Sequence, residues 1–306
     1  MQRFFIITAL VAFLGLALAA CKFSAPQQQQ EFKSPADAVQ AFETALKTDN
    51  DKELLAILGP DANELIYTDN ETVDRQRRET FLKDYEEKHS LVPKGDKFLL
   101  VIGQNDWSFP IPLMKKGDHW IFDIAAGKEE IIDRRIGRDE LNAIQVLLAI
   151  VDAEREYAMV DRNNDSLLEY TPKFRSEPGK KDGLYWEAKE EEESSPLGEL
   201  VANARAEGYA AGGSQNPEPY HGYFYRILTA QGENAPGGAY DYIVNGKMIG
   251  GFALVAYPAE YGDSGIMTFI VNHEGVVYQK DLGENTGELA KAMTLYDPDE
   301  TWMVVQ

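Results

Sequence analysis

From Ser34 onward the chain reads as alternating apolar stripes and polar breaks, and their spacing changes along its length. In "SPADAVQAFETALK", Ser34 is placed to cap a helix with Pro35 at its first position and Asp37 at its third. Ala38, Phe42, Ala45 and Leu46 then recur at helical spacing. Asp51 to Leu58 predicts a second helix with Leu54, Leu55 and Leu58 on one side, stopped by Gly59-Pro60. Thr72 to Lys88 predicts a third, rich in charge and facing solvent. The runs "KFLLVIG" and "SFPIPLMKKGDHWIFDIAAG" then read as strands, with Lys115-Lys116-Gly117-Asp118 as a hairpin turn.

The period returns to that of a helix in "RDELNAIQVLLAIVDAEREYAMVD". There Leu141, Ile144, Leu148 and Val151 form a stripe widened by Leu147 and Ala158, and Asp139 and Glu140 suit its positive N-terminal end. A loop-rich region follows from Arg162 to Tyr220. Three strand candidates close the chain: "YFYRILTA", "MIGGFALVAYP" and "GIMTFIVNHEGVVYQKDL". In the last, His273-Glu274-Gly275 makes a short loop with glycine where a positive φ is needed. Helices followed by a strand meander, and then a long helix before antiparallel strands, predict an α+β fold of two domains, 34–128 and 129–306. The first layout resembles the nuclear-transport-factor-like or cystatin-like cones.

The N-terminus changes where such a protein would reside. Arg3 precedes the apolar run Phe4 to Leu18, and Leu18-Ala19-Ala20-Cys21 resembles a bacterial lipobox. Residues 1–20 then read as a lipoprotein signal peptide, cut before Cys21, whose thiol becomes lipidated. Cys21 is the only cysteine, so the mature chain has no thiol for disulfides or catalysis. The run is short for a spanning helix, which leaves the lipid as the only membrane attachment. Residues 21–33, with four consecutive glutamines, read as a flexible tether reaching about 40 Å when extended. Lys22 stands where an aspartate would mark inner-membrane retention. The expected location is therefore the cell envelope, at the outer membrane facing the periplasm if the host has two membranes.

Charge narrows the partners. Thirty basic against 51 acidic residues give a formal charge of −21 over 306 residues. Such a chain repels nucleic acid phosphates and anionic headgroups and leaves cationic partners or divalent metal ions open.

Candidate chemistry is sparse. Gly262-Asp263-Ser264-Gly265 spells the surroundings of a trypsin-like nucleophile, but Ile266-Met267 follow it, and no histidine has the expected setting. A turn between two apolar strands explains the same letters. Ser264 with His221 remains the candidate pair for an envelope hydrolase. Asp161, Asn163, Asp165 and Glu169 resemble half of a calcium loop, with Ser166 replacing the turn glycine and Pro172 the bidentate glutamate. Calcium is thus a candidate ligand, and a polar turn after a helix is the alternative. Tyr220, Tyr223, Tyr225, Tyr257 and Tyr261 crowd one region. An exposed tyrosine-rich face there would bind protein or glycan, unless loops 170–220 cover it.

The stretches "WSFPIPLMKKGDHWIFDIAAGKEEIIDRRIGRDEL", "GKKDGLYW", "SPLGELVANA" and "YHGYFYRILTAQGENAPGGAYDYIVNGKMIGGFALVAYPAEYG" resemble the bacterial family called domain of unknown function 2950. That family has signal-bearing members and no established activity. "LNAIQVLLAIVDAEREYAMVDRNNDSLLEY", "GYFYRILTA" and "ALVAYPAEYGDSGIMTFIVNHEGVVY" also look like a type IV pilin or pseudopilin head, without the pilin's hydrophobic helix and processing site. This resemblance implies docking to an envelope protein without pilin-type polymerisation. The reading is a lipid-anchored binding or assembly module; a hydrolase using Ser264 or His221, or a calcium-stabilised binding module, are the alternatives.

Overall fold

The computed structural model describes residues 28–67, 70–189, 192–209 and 218–305. It is an α+β fold and divides into two compact units, at Gly127/Lys128.

In the N-terminal unit, α1 (Pro35–Lys47) starts as its sequence requires: Ser34 is extended, and its Oγ accepts the Asp37 N–H at 3.1 Å. Ala38, Val39, Phe42, Ala45 and Leu46 are buried along one stripe. Helix α2 (Asp51–Leu58) is capped by Asn50 and buries Leu54, Ile57 and Leu58, so Ile57 takes the place expected for Leu55. Gly59, at φ 95°, ends it. A short helix α3 (Asn63–Ile66) and α4 (Glu71–Glu87), capped by Asn70, complete the helical layer.

Five strands form an antiparallel sheet: β1 (His89–Lys94), β2 (Lys97–Ile102), β3 (Trp107–Ser108), β4 (Leu113–Lys116) and β5 (His119–Phe122). Their order is β1-β2-β4-β5, with β3 also on β2. The turn at Gly117 (φ 62°) joins β4 to β5, as the sequence indicates. Strand β1 has no such signal. It is an exposed edge strand, so no alternation marks it, and Pro93 is tolerated there. Phe42, Phe81, Phe109 and Phe122 pack edge-on or tilted at 5.3–6.4 Å at the centre of the core.

The tether ends earlier than its composition indicates. Gln29 Nε2 donates to the carbonyls of Ile57, Leu58 and Phe122, and Phe32 is buried and pairs with Trp120. A glutamine run reads as linker because its side chains carry no apolar pattern. One of them nonetheless satisfies three carbonyls, which no periodicity reveals.

The long helix α5 (Ile124–Tyr157) begins well before the stretch that the stripe predicts. Asp123 caps it through Oδ1, which accepts the Ala126 N–H. Gly127 is required there, because a Cβ would lie 2.6 Å from the Ile111 side chain. Helix α6 (Gly198–Ala206) follows the loop-rich region. The short strands β7 (Ala230–Gln231) and β8 (Tyr240–Asp241) pair, as do β9 (Ile243–Val244) and β10 (Lys247–Met248). The second pair turns on Asn245-Gly246, both at positive φ.

The main sheet of the C-terminal unit is antiparallel. It comprises β6 (Tyr223–Leu228), β11 (Ala253–Pro258), β12 (Met267–Asn272), β13 (Val277–Asp281) and β14 (Met303–Val304), in the order β14-β13-β12-β11-β6. Every residue of β11 is buried, as befits the strand between two neighbours with both faces covered. On one face, Asp139 and Glu140 of α5 stand near Tyr223. On the other, Arg226 donates to carbonyls of Ala290 and Met293 at the end of α7 (Thr286–Ala292). The loop-rich region is no mere connection: Leu184, Tyr185, Trp186 and Leu197 belong to the same core.

The stripe on α5 is rotated from its expected position. Leu141 is 66% exposed, while Ala143, Val146, Leu147, Ile150, Val151 and Tyr157 are buried. Apolar character alone placed Leu141 inside. The inward face in fact runs through Ala143 and also through Glu154, a carboxylate at a core position. Among the described residues, no helix is long and apolar enough to cross a membrane.

Candidate functional site

The residues singled out by sequence fall into four places. Cys21 lies outside the described residues.

Ser264 sits in a turn that consumes its hydroxyl. Its Oγ donates to the Glu260 carbonyl at 3.2 Å and accepts the Glu260 N–H at 3.0 Å. Gly262 has φ 79°, and its N–H meets the Gly265 carbonyl. Gly265 is needed for another reason: a Cβ there would fall 2.1 Å from the Tyr223 hydroxyl, which donates to the Met267 carbonyl. Helix α5 holds the turn. Arg135 pairs with Asp263, and one Glu140 oxygen accepts the N–H groups of Ile266 and Met267 at 3.0 and 2.9 Å.

His221 comes near in backbone only. A Cβ on Gly222 would lie 2.9 Å from the Ser264 Cβ, so the two turns touch. The imidazole instead lies between Asn142, 3.4 Å from Nδ1, and Glu207, 3.3 Å from Nε2, beside the rings of Tyr220 and Tyr209. The Asn142 amide and the Glu207 carboxylate thus engage both ring nitrogens. A serine nucleophile needs a base within hydrogen-bond reach. Here both nitrogens and the hydroxyl have other partners.

The loop after α5 folds around Asp161, whose carboxylate accepts the N–H groups of Asn163, Asp165 and Ser166 at 2.8–3.3 Å. Asp165 and Glu169 turn to the Lys247 ammonium on β10, and Asn163 donates to Glu169. The Lys247 contact holds the Asp165 carboxyl below its ordinary value. A cation is thus already supplied by the chain. Among the described residues, no group of three or more His, Cys, Asp or Glu is gathered as for a metal ion.

The tyrosines divide. Tyr223 and Tyr257 belong to the core and present no binding face. Alternation along β6 turns Tyr223 inward with its hydroxyl bonded, and Tyr225 donates to the Tyr220 carbonyl at 3.3 Å. Tyr220, Tyr225 and Tyr261 are half-buried, and Tyr261 donates to Asp281. Burial pushes the phenols of Tyr223 and Tyr225 well above the ordinary range.

A feature that sequence reasoning missed lies at the C-terminal end of α5. A pocket of about 640 Å³ opens between Tyr157, Arg162, the 169–182 loop and the β9–β10 hairpin. Its size is that of a small-molecule site. Tyr157 donates to the Lys181 carbonyl at 3.0 Å, the Arg162 guanidinium lies 4.6 Å over the Tyr157 ring, and Lys173 pairs with Asp182 at 2.6 Å. A second pocket of about 720 Å³ is lined by the same loop, with Arg175, Trp186 and Glu192. Behind the loop, Glu154 is 0% exposed; Oε2 accepts the Thr171 N–H at 3.1 Å, and Oε1 has no partner. The one signal in the sequence was a glutamate at a core position of the helical stripe.

A family model described as a protein of unknown function (DUF2950) matches residues 29–305. The chain belongs to this family. The match begins at Gln29, the residue that bonds into the N-terminal unit, and spans both units, the Ser264 turn and the pocket loop. Neither a search of the curated proteins nor one of the solved structures finds a match to the chain.

Proposed function

We propose that this protein is a lipid-anchored cell-envelope module whose C-terminal unit docks to a protein partner. The observation that carries the docking is an apolar fringe around the pocket at the end of α5. Met159, Val160, Leu167, Leu168, Ile243 and Val244 are all exposed, and Val160 and Ile243 line the pocket itself. Lys247 ties the two segments together through Asp165 and Glu169, which flank Leu167-Leu168. Exposed apolar side chains at a pocket rim, as Val160 and Ile243 are here, mark interaction sites. The helix-on-sheet build of the unit is consistent with a pilin-like head, and the lipobox ending at Cys21 supports a lipid anchor at the outer membrane, facing the periplasm in a host with two membranes.

Crosslinked pull-down from the native envelope tests the docking. The wild-type chain should recover a partner that a Leu168→Asp/Ile243→Asp double variant does not; equal recovery by both, or recovery of the chain alone, overturns it. Incorporation of labelled fatty acid that Cys21→Ser abolishes tests the anchor.

A further inference from the structure

Glu154 is a wholly buried acidic side chain on the inward stripe of α5, where Asp139 is the other buried carboxylate, and its chemistry is unfinished. Among the described residues no charged group pairs with it, and its one hydrogen bond goes to the backbone of a loop. That loop is anchored at its two ends: the Tyr170 N–H meets the Met248 carbonyl and Glu169 meets Lys247, while Leu184, Tyr185 and Trp186 sit in the core. Thr171 Oγ1 donates to the Asp182 carbonyl at 2.8 Å, closing the loop on itself, and Tyr157, one turn beyond Glu154, donates to the Lys181 carbonyl. Both pockets use this loop as a wall. A buried carboxyl with one partner is tolerable when neutral and costly when charged. The cheapest way to hydrate it is to lift the segment that covers it.

We infer that Glu154 is a protonation-gated latch: while it keeps its proton, the 171–183 stretch, between its anchored ends, stays closed on the end of α5, and loss of the proton favours the open loop. Burial supports this by pushing its carboxyl up from about 4.5 to about 8, against a smaller opposing pull from the Thr171 N–H. The neighbouring titratable and charged groups have other ties. On α5, Arg155 bonds Asp152 and the His273 carbonyl. Beyond the helix, Arg162 pairs with Glu193; on the loop, Lys173 pairs with Glu177 and Asp182. Glu169 meets Lys247 of β10. His273, after β12, has a buried Nδ1 without a partner.

The direction follows from linkage. In the open loop the carboxyl is hydrated and returns to its ordinary value. The closed form then holds a proton that the open form has lost, between about pH 4.5 and about pH 8. Opening should rise by up to about tenfold per pH unit across that window and level off above it.

Hydrogen exchange of the full chain, corrected for intrinsic rates, reads this at the amides of Thr171, Leu184 and Tyr185, which bond to Glu154, Lys173 and Phe174. Protection of these three should fall as pH rises through the window in the wild type and stay flat in Glu154→Gln. A flat wild-type profile, or a slope that survives in Glu154→Gln, overturns the latch. Tyr157→Phe should loosen the loop at every pH and keep the slope. His273→Gln should also keep it, and loss of the slope in either variant assigns the gate elsewhere and overturns the inference. If Glu154→Gln fails to fold, infrared spectroscopy of the wild type decides. A protonated-carboxyl band at about pH 7 that is gone by about pH 9.5 supports the latch, and no such band overturns it.

Discussion

The two units solve the same problem with different interiors. In the N-terminal unit, four phenylalanines and a ring of leucine and isoleucine fill the core, and among the described residues Asp74 alone is polar and buried. The C-terminal core encloses Glu154, Thr171, Gln231, Thr268, Asn272 and Thr286. Some of these are fully satisfied: Gln231 bonds two carbonyls and the Tyr242 hydroxyl. Others are not: Glu154 Oε1, Thr268 Oγ1 and Asn272 Nδ2 lack partners. An apolar core is indifferent to pH, whereas a core with a half-satisfied carboxyl carries a pH dependence in its stability. The contrast teaches where this molecule can respond to its surroundings.

Substitutions should separate the two interiors. The largest effect is expected from Phe122→Ala, which empties the centre of the N-terminal core and should cost about 3–5 kcal/mol in denaturant unfolding, by the same amount at every pH. A pH-dependent cost would break the contrast. Next comes Glu154. Because its folded value is raised, its stabilising contribution is complete at low pH and is lost as pH rises from about 4.5 to about 8. The difference in stability between wild type and Glu154→Gln should therefore change across that window by at most about 1.4 kcal/mol per pH unit, and be constant outside it. Gly265→Ala should cost about 1–3 kcal/mol through its clash with the Tyr223 hydroxyl, and Tyr223→Phe in the same chain should recover part of it. Leu168→Asp, on the exposed fringe, should move stability by less than about 0.5 kcal/mol while weakening partner capture. The smallest effect is expected from calcium: thermal melts with calcium and with chelator should coincide, because Asp165 and Glu169 already share the Lys247 ammonium. A rise in melting temperature with calcium would show the ion displacing that lysine.

Legibility in the sequence followed the range of the interaction. The start of helix α1 was readable because its cap and its proline are adjacent and its stripe follows at helical spacing. The hairpins at Gly117 and Gly275 were readable because a positive φ is a local demand. Strand β1 was not, since an edge strand carries no alternation, and neither was the first half of α5, where charges and two glycines mask the helix. The Ser264 turn could be named from Gly262 and Gly265, but its attachment to Arg135 and Glu140 crosses more than 120 residues. The pocket was invisible for the same reason: Tyr157, Lys173 and Met248 meet only once three separate segments fold together.

What the sequence determined by itself was the α+β class, the order of its main elements and the turns, because hydrophobic period, caps and glycine positions act over a few residues. It also carried the run ending at Cys21 on which the proposed lipid anchor rests. What only the tertiary structure decided was which face of α5 is inside, that Gln29 belongs to the fold, that His221 answers to Asn142 and Glu207, and that Glu154 is sealed behind a loop. Each of these is a choice among partners far apart in the chain, settled by packing and by the cost of burying an unpaired polar group.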